Sequence, residues 1–234
     1  MKLLINKMLS KRGLRIINEA KRHEDMFADS GFRTIHQKTQ EFTMTNPENM
    51  YALCQSVDHV LSNHIEGAFI ECGVWRGGSS MTMIQRLMQH GVTDRSIMLF
   101  DLFATPDTNG EKYWRGIPLN EVETNVRSLG YPGDRISFHK GDIAVAAPTS
   151  CPPRIAILRL DMDTYAPTRA ALEAFYPAVE NGGIILINGG IILIDDYGTH
   201  PDGAKLATNE FIKKLDRAPL LHRIDHGARL WVKI

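Results

Sequence analysis

The stretch Ala68-Phe69-Ile70-Glu71-Cys72-Gly73-Val74-Trp75-Arg76-Gly77-Gly78-Ser79-Ser80 decides the fold. Residues 68–72 are short and apolar enough for a buried strand. The turn that follows holds three glycines, and residues 79–89 then carry helical spacing until Gly91 stops them. Strand, glycine turn and helix in that order open a β-α-β unit. The pattern continues outward in both directions. Upstream, Asn46-Pro47-Glu48 places a capping side chain before a proline at the first helical position. Met50, Leu53, Cys54, Val57, Val60 and Leu61 then follow at helical spacing. Downstream, strands are predicted over 97–100, 135–139, 155–160, 184–194 and 230–234, with helices over 119–129, 169–179 and 203–215. Apolar strands alternating with helices predict an α/β fold, a doubly wound and mostly parallel sheet covered on both faces. Residues 1–45 read as an N-terminal helical arm and lid segment, and 46–234 as one domain without an internal linker.

Composition excludes several classes. The chain has 234 residues, 43% of them hydrophobic and 23% charged, an ordinary globular balance. Lys plus Arg equals Asp plus Glu at 27 each, so no global field favours nucleic acid. Cys54, Cys72 and Cys151 fall in no metal spacing and read as free thiols in a reducing cytoplasm. No segment is apolar for long enough to cross a bilayer. The first 22 residues carry seven basic residues against Glu19, interleaved with apolar ones. They read as a basic amphipathic helix that packs on its own domain, on a dimer mate in a homo-oligomer, or on a membrane surface.

Five predicted strands end in or beside an acid: Glu71, Asp101, Asp142, Asp161 and the pair Asp195-Asp196. An open parallel sheet binds ligands beyond the carboxyl ends of its strands, so these acids converge on one crevice. The first turn lacks the dinucleotide G-x-G-x-x-G, because Val74-Trp75-Arg76 separates its glycines, and this argues against a nicotinamide oxidoreductase. An acid-x-Gly turn suits a ligand with hydroxyls or a positive charge. Asp101, 28 residues after Gly73, suits a ribose diol. Asp161, Asp163, Asp195 and Asp196 would repel one another unless a cation joined them, and all-oxygen donors suit magnesium over zinc.

Residues 181–187 and 188–194 are the same heptad, Asn-Gly-Gly-Ile-Ile-Leu-Ile, twice in succession. Seven strand residues span about 23 Å, so two copies cannot share one slot in the sheet. If 191–194 form the strand, Asp195-Asp196 keep their place at its end. If 184–187 form it, Asn188-Gly189 stand there and the acids are displaced. Metal binding favours the first register, which is the expectation here. The second predicts a cofactor-binding protein with a disturbed metal site and weak catalysis.

ECGVWRGGSS, LRLDMDTY and IDDYG, in that order, resemble the macrocin O-methyltransferase (TylF-type) family from about Phe42 onward. The resemblance implies a seven-stranded, Rossmann-like class I methyltransferase that uses S-adenosylmethionine and magnesium to methylate a sugar hydroxyl of a glycoside. It implies cofactor contacts from Glu71, Gly73 and Asp101, with Thr45 closing over them. Trp75, Arg76 and Ser79 of the turn and Asp142 after the third strand complete that set. It implies a metal held by Asp161, Asp195 and Asp196, and proton removal by Asp161, or by Asp163. His200, just after IDDYG, reads either as a residue that contacts substrate or assists, or as a solvated loop histidine. Tyr165 and Tyr197 are candidate substrate walls. Tyr113, Trp114 and Arg115 read either as a lid or as an ordinary surface loop. A phenolic, catechol-like acceptor is the alternative. Two runs depart from the family pattern: Asp101-Leu102-Phe103-Ala104-Thr105, where the family usually carries Asp-Ser/Thr-Phe-Glu-Gly, and Gly141-Asp142-Ile143-Ala144-Val145, where it is more acidic.

Overall fold

A computed structural model describes residues 5, 9–12, 23–103, 116–187 and 202–234. Its centre is a seven-stranded sheet in the order β3-β2-β1-β4-β5-β7-β6. The strands are β1 (Ala68–Cys72), β2 (Ile97–Asp101), β3 (Ile136–Lys140), β4 (Ile155–Leu160), β5 (Val179–Ile187), β6 (His222–Arg223) and β7 (Arg229–Val232). The first five run parallel and β7 pairs antiparallel with β5. The strand order reverses between β1 and β4, which places a switch-point crevice at their carboxyl ends.

Eight α-helices accompany the sheet among the described residues: α1 (Glu24–Ala28), α2 (Ser30–Thr39), α3 (Pro47–Ser62), α4 (Gly78–Gln89), α5 (Leu119–Arg127), α6 (Ile143–Ser150), α7 (Tyr165–Phe175) and α8 (Ala204–Ile212). Strand side chains alternate between two cores. Phe69, Leu99 and Ile157 pack with Val57 and Ile84 on one face, and Ile70, Phe100 and Leu158 pack with Leu172 and Phe175 on the other. Asn46 caps α3 as expected, accepting from the Asn49 amide at 2.9 Å. Helix α6 escaped the sequence reading, since its Pro148 and mostly small residues mask the period. Helix α7 begins at Tyr165, four residues earlier than predicted. No described helix is long and apolar enough to cross a membrane.

The arm from His23 onward packs on the domain. Met26, Phe32 and Ile35 bury against Met50 and Cys54 of α3. Arg86 of α4 grips Asp58 of α3 with two hydrogen bonds (2.7 and 2.6 Å) and reaches Asp29, the N-cap of α2, at 3.2 Å. Most of the basic segment before residue 23 lies outside the described residues.

The expected register of the repeat is overturned. The first copy fills the slot: Ile184 to Ile187 pair with Ile157 to Leu160 of β4 on one side and with Val232 to Arg229 of β7 on the other. The reason is position. The chain leaves α7 at Phe175, and by Val179 it already pairs with Ile155. Gly182 N–H donates to the Lys233 carbonyl (2.7 Å) and Lys233 N–H returns to Gly183 (2.9 Å). Lys233 Nζ also donates to the carbonyls of Tyr176, Pro177 and Val179 (3.0, 3.3 and 2.7 Å). These bonds hold the start of β5 beside β7. The second copy, Asp195, Asp196, Tyr197 and His200 lie outside the described residues.

Candidate active site

Four segments meet at the carboxyl ends of β1, β2 and β4: the turn 73–77, the segment 43–45, the residues after β2, and Asp161 to Asp163. Parallel register sets Glu71 of β1 beside Arg159 of β4. Arg159 Nη1 donates to Glu71 Oε1 at 2.6 Å, and Ser80 of α4 donates to Glu71 Oε2. Glu71 is 1% exposed and Arg159 2%. Burial pushes the Glu71 carboxyl up to about 7, against the pull of Arg159. The second Arg159 nitrogen, Nη2, donates to Asp161 Oδ2 (2.8 Å) and to Thr45 Oγ1 (3.1 Å). Asp161 follows β4 directly, two residues beyond Arg159, so one guanidinium reaches both acids. Asp161 Oδ1 is enclosed and has no hydrogen-bond partner among the described residues.

The glycine turn is tighter than ligand access alone would require. Gly73 has φ +82°, and a Cβ there would land on the Asp161 carbonyl oxygen. Gly77, at φ +93°, would meet Val126 of α5 at 2.7 Å, and Gly78 would meet the Phe42 backbone at 2.6 Å. Each glycine admits a neighbouring protein segment. Asp101 orders the same turn: Oδ2 accepts from the amides of Val74 (2.6 Å) and Trp75 (3.4 Å), and Oδ1 from Phe103 (3.1 Å). Three non-glycine residues here sit in left-handed backbone: Trp75 (φ 48°), Phe103 (φ 44°) and Asp163 (φ 58°). Strain of this kind gathers where surrounding structure over-determines a functional edge.

The remaining expected residues divide. Thr45 lies 3.4 Å from Ser79 Oγ, so the segment 43–45 does close on α4. Glu71 is enclosed by protein partners, which makes it a support of the site. The Arg76 guanidinium is committed to Glu121 (3.0 Å) and the Glu41 carbonyl (3.2 Å), and lies over the Phe42 ring at 5.5 Å. It fastens the segment before Thr43 to α5. Asp142 is the N-cap of α6, accepting from Ala144 at 2.9 Å. The Tyr165 hydroxyl donates to Glu210 of α8 at 2.6 Å and accepts from Arg169, which ties α7 to α8. His139 stacks on Phe100 (4.3 Å, 11°), a structural role. Among the described residues no three His, Cys, Asp or Glu side chains gather as a metal cage. Tyr113, Trp114 and Arg115 lie outside them too. Sequence reasoning missed Arg159 as a site residue. The signal was its charge on a strand whose other residues are apolar.

The macrocin O-methyltransferase (TylF) family model matches residues 5–233. The chain belongs to the macrocin O-methyltransferase family. The match begins well before Phe42, so the family pattern includes the arm. Demethyldecarbamoylnovobiocin O-methyltransferase of Streptomyces niveus is 30% identical over 203 residues, covering 81% of this chain and 74% of that protein. The 8-demethyl-8-(2,3-dimethoxy-alpha-L-rhamnosyl)-tetracenomycin-C 4'-O-methyltransferase of Streptomyces olivaceus is 30% identical over 206 residues, with the same coverages. The solved O-methyltransferase NovP superposes with a TM-score of 0.71 at 28% identity, covering 82% of each chain. This macrocin O-methyltransferase family member is therefore an O-methyltransferase, and S-adenosylmethionine is the methyl donor of its family. Its sheet order and its antiparallel β7 belong to the same Rossmann-like class.

Proposed function

We propose that this O-methyltransferase methylates a sugar hydroxyl on a glycosylated natural product. One observation carries the reading: the enclosed Asp161 Oδ1, an anionic oxygen with no donor among the described residues, at the switch point of a methyltransferase sheet. A buried acceptor without a donor is costly, and a substrate hydroxyl or a hard cation satisfies it. The acceptor named for the Streptomyces olivaceus relative carries a rhamnosyl group, which favours a sugar over a catechol.

S-adenosylmethionine supplies a sulfonium methyl group that is already activated for attack. The chain's task is alignment and proton removal. Asp101 has lone-pair capacity left for a ribose diol, and the Val74 and Trp75 amides hold it in place. Trp75, Ser79 and Thr45 shape the wall above that turn. Asp161 takes the hydroxyl proton as the oxygen–methyl bond forms and the sulfur–methyl bond breaks, leaving S-adenosylhomocysteine, with Asp163 the alternative base; His200 assists.

A magnesium ion belongs to this reading. Asp161 Oδ1 fits a hard cation, which when bound lowers the pKa of a coordinated hydroxyl. Asp195 and Asp196 would complete the donor set. A second reading has specific support: with 184–187 in the sheet, β5 runs on into Asn188-Gly189 rather than into acids. It makes the chain a cofactor-binding protein with a weakened metal site.

The test is methyl transfer from labelled S-adenosylmethionine to 8-demethyl-8-(2,3-dimethoxy-alpha-L-rhamnosyl)-tetracenomycin C, with catechol as the competing probe and magnesium present or absent. Transfer to the glycoside, lost by roughly 100-fold or more in Asp161→Ala, is the expected result. Unchanged transfer in Asp161→Ala, or failure of S-adenosylhomocysteine to bind, overturns the reading. Preference for catechol replaces the acceptor class.

A further inference from the structure

We infer that Arg159 is a positioning residue that couples closure of the segment 43–45 to the orientation of Asp161. The inference rests on the assignment of Asp161 as the reacting carboxylate. It starts from one atom. Arg159 Nη2 donates to Thr45 Oγ1 (3.1 Å) and to Asp161 Oδ2 (2.8 Å). Nη1, in the same rigid plane, is held by Glu71 at 2.6 Å. The guanidinium is a planar fork that stays charged, so fixing one nitrogen fixes the direction of the other. Glu71 is held in turn by Ser80 in the first turn of α4, and Ser79 beside it approaches Thr45.

The geometry has two consequences. Oδ2 of Asp161 is occupied by Arg159, so Oδ1 is the oxygen left for chemistry. Thr45 cannot leave without giving up a bond to the nitrogen that orients that carboxylate. Register alone puts Glu71 beside Arg159; nothing in the packing of β4 requires a buried cation there, since its other five residues are apolar. A buried charge is costly unless every bond it makes is needed. The three groups that Arg159 joins are the turn strand, the lid segment and the reacting acid.

Hydrogen exchange of peptides spanning 43–46 tests this without an acceptor. Asp161→Ala is measured in the parent chain and in a Glu71→Gln/Arg159→Met background, which removes the buried pair together. In the parent, Asp161→Ala is expected to speed exchange at 43–46 by about threefold or more. In the double background it adds nothing further, because the link is already gone. A second cycle, Thr45→Val against Asp161→Ala, reads S-adenosylhomocysteine affinity by calorimetry. It leaves the Glu71–Arg159 pair in place should the double variant fail to fold. Non-additive losses are expected there. Equal effects of Asp161→Ala in both backgrounds, or additive losses in the second cycle, overturn the coupling. Failure of the reading above shows up separately, as methyl transfer that survives Asp161→Ala.

Discussion

Glu71 and Arg159 are register partners on adjacent parallel strands, and their side chains meet at 2.6 Å beneath the crevice, both almost wholly buried. An ion pair so enclosed gives back little net stability compared with a matched apolar pair, yet removing one partner alone is severe. Arg159→Met by itself is expected to cost about 3–5 kcal/mol, while Glu71→Gln/Arg159→Met costs far less. Urea denaturation of the single and double variants measures the difference.

The same pair sets a pH dependence. Burial raises Glu71 from its ordinary 4.5 to about 7. A carboxyl whose folded pKa is raised stabilises the fold fully below its unfolded pKa, and this contribution is lost as pH rises through the folded value. Between about pH 4.5 and 7.5 the parent is expected to lose on the order of 3 kcal/mol relative to Glu71→Gln. Paired unfolding curves across that window check the sign. A parent that gains stability relative to the variant refutes it.

Gly73→Ala combines two penalties: a left-handed φ, and a methyl group driven into the Asp161 backbone. The ends of β1 and β4 must separate to admit it. A loss of roughly 2–4 kcal/mol is expected, together with weakened S-adenosylhomocysteine binding. A melting curve and a calorimetric titration suffice. Gly91→Ala is the control, because a Cβ there meets nothing while its φ of +72° carries the same backbone cost.

Arg86 joins the arm to the domain through Asp29 and Asp58, and these bonds hold its own pKa above the ordinary value. Arg86→Ala is expected to destabilise the chain by about 2–3 kcal/mol and to speed exchange across α2 more than across β4. Uniform loosening of both elements counts against a local clasp.

Removing one heptad is the sharpest test of the site. Deleting residues 181–187 or 188–194 yields the same polypeptide, with a single copy running directly into Asp195-Asp196. Leu160 pairs with Ile187, so the acids would then follow the strand at the level of Asp161. The shortened chain is expected to melt within a few degrees of the parent and to bind magnesium at least about tenfold more tightly in the presence of S-adenosylhomocysteine. Equal affinity in both chains shows that the acids already reach the site from where they stand.

Much of this architecture is legible in residue order. The glycine turn, the capped start of α3 and the alternating apolar strands each carry a local signal, and each was found. What stayed hidden depends on neighbours distant in sequence. Nothing in ECGVWRGGSS shows that Gly73 makes room for the Asp161 carbonyl 88 residues later, or that Gly78 makes room for Phe42. Arg159 looked like a strand residue beside two interesting acids, because the 2.6 Å contact exists only after β1 and β4 align. That Asp142 also caps α6, and that Tyr165 also bonds across to α8, shows only once the helices are in place. The heptads are identical in themselves, so local propensity could not rank them. Lys233 and the short exit from α7 decide between them.

That choice also has an order in time. A chain leaves the ribosome from its N-terminus at roughly 5–20 residues per second. Strands β1 to β4 and helix α7 all precede the repeat in the chain. The second heptad follows the first by roughly a second. Of two segments with the same sequence, the one made first is the one that lies between β4 and β7 in the folded chain.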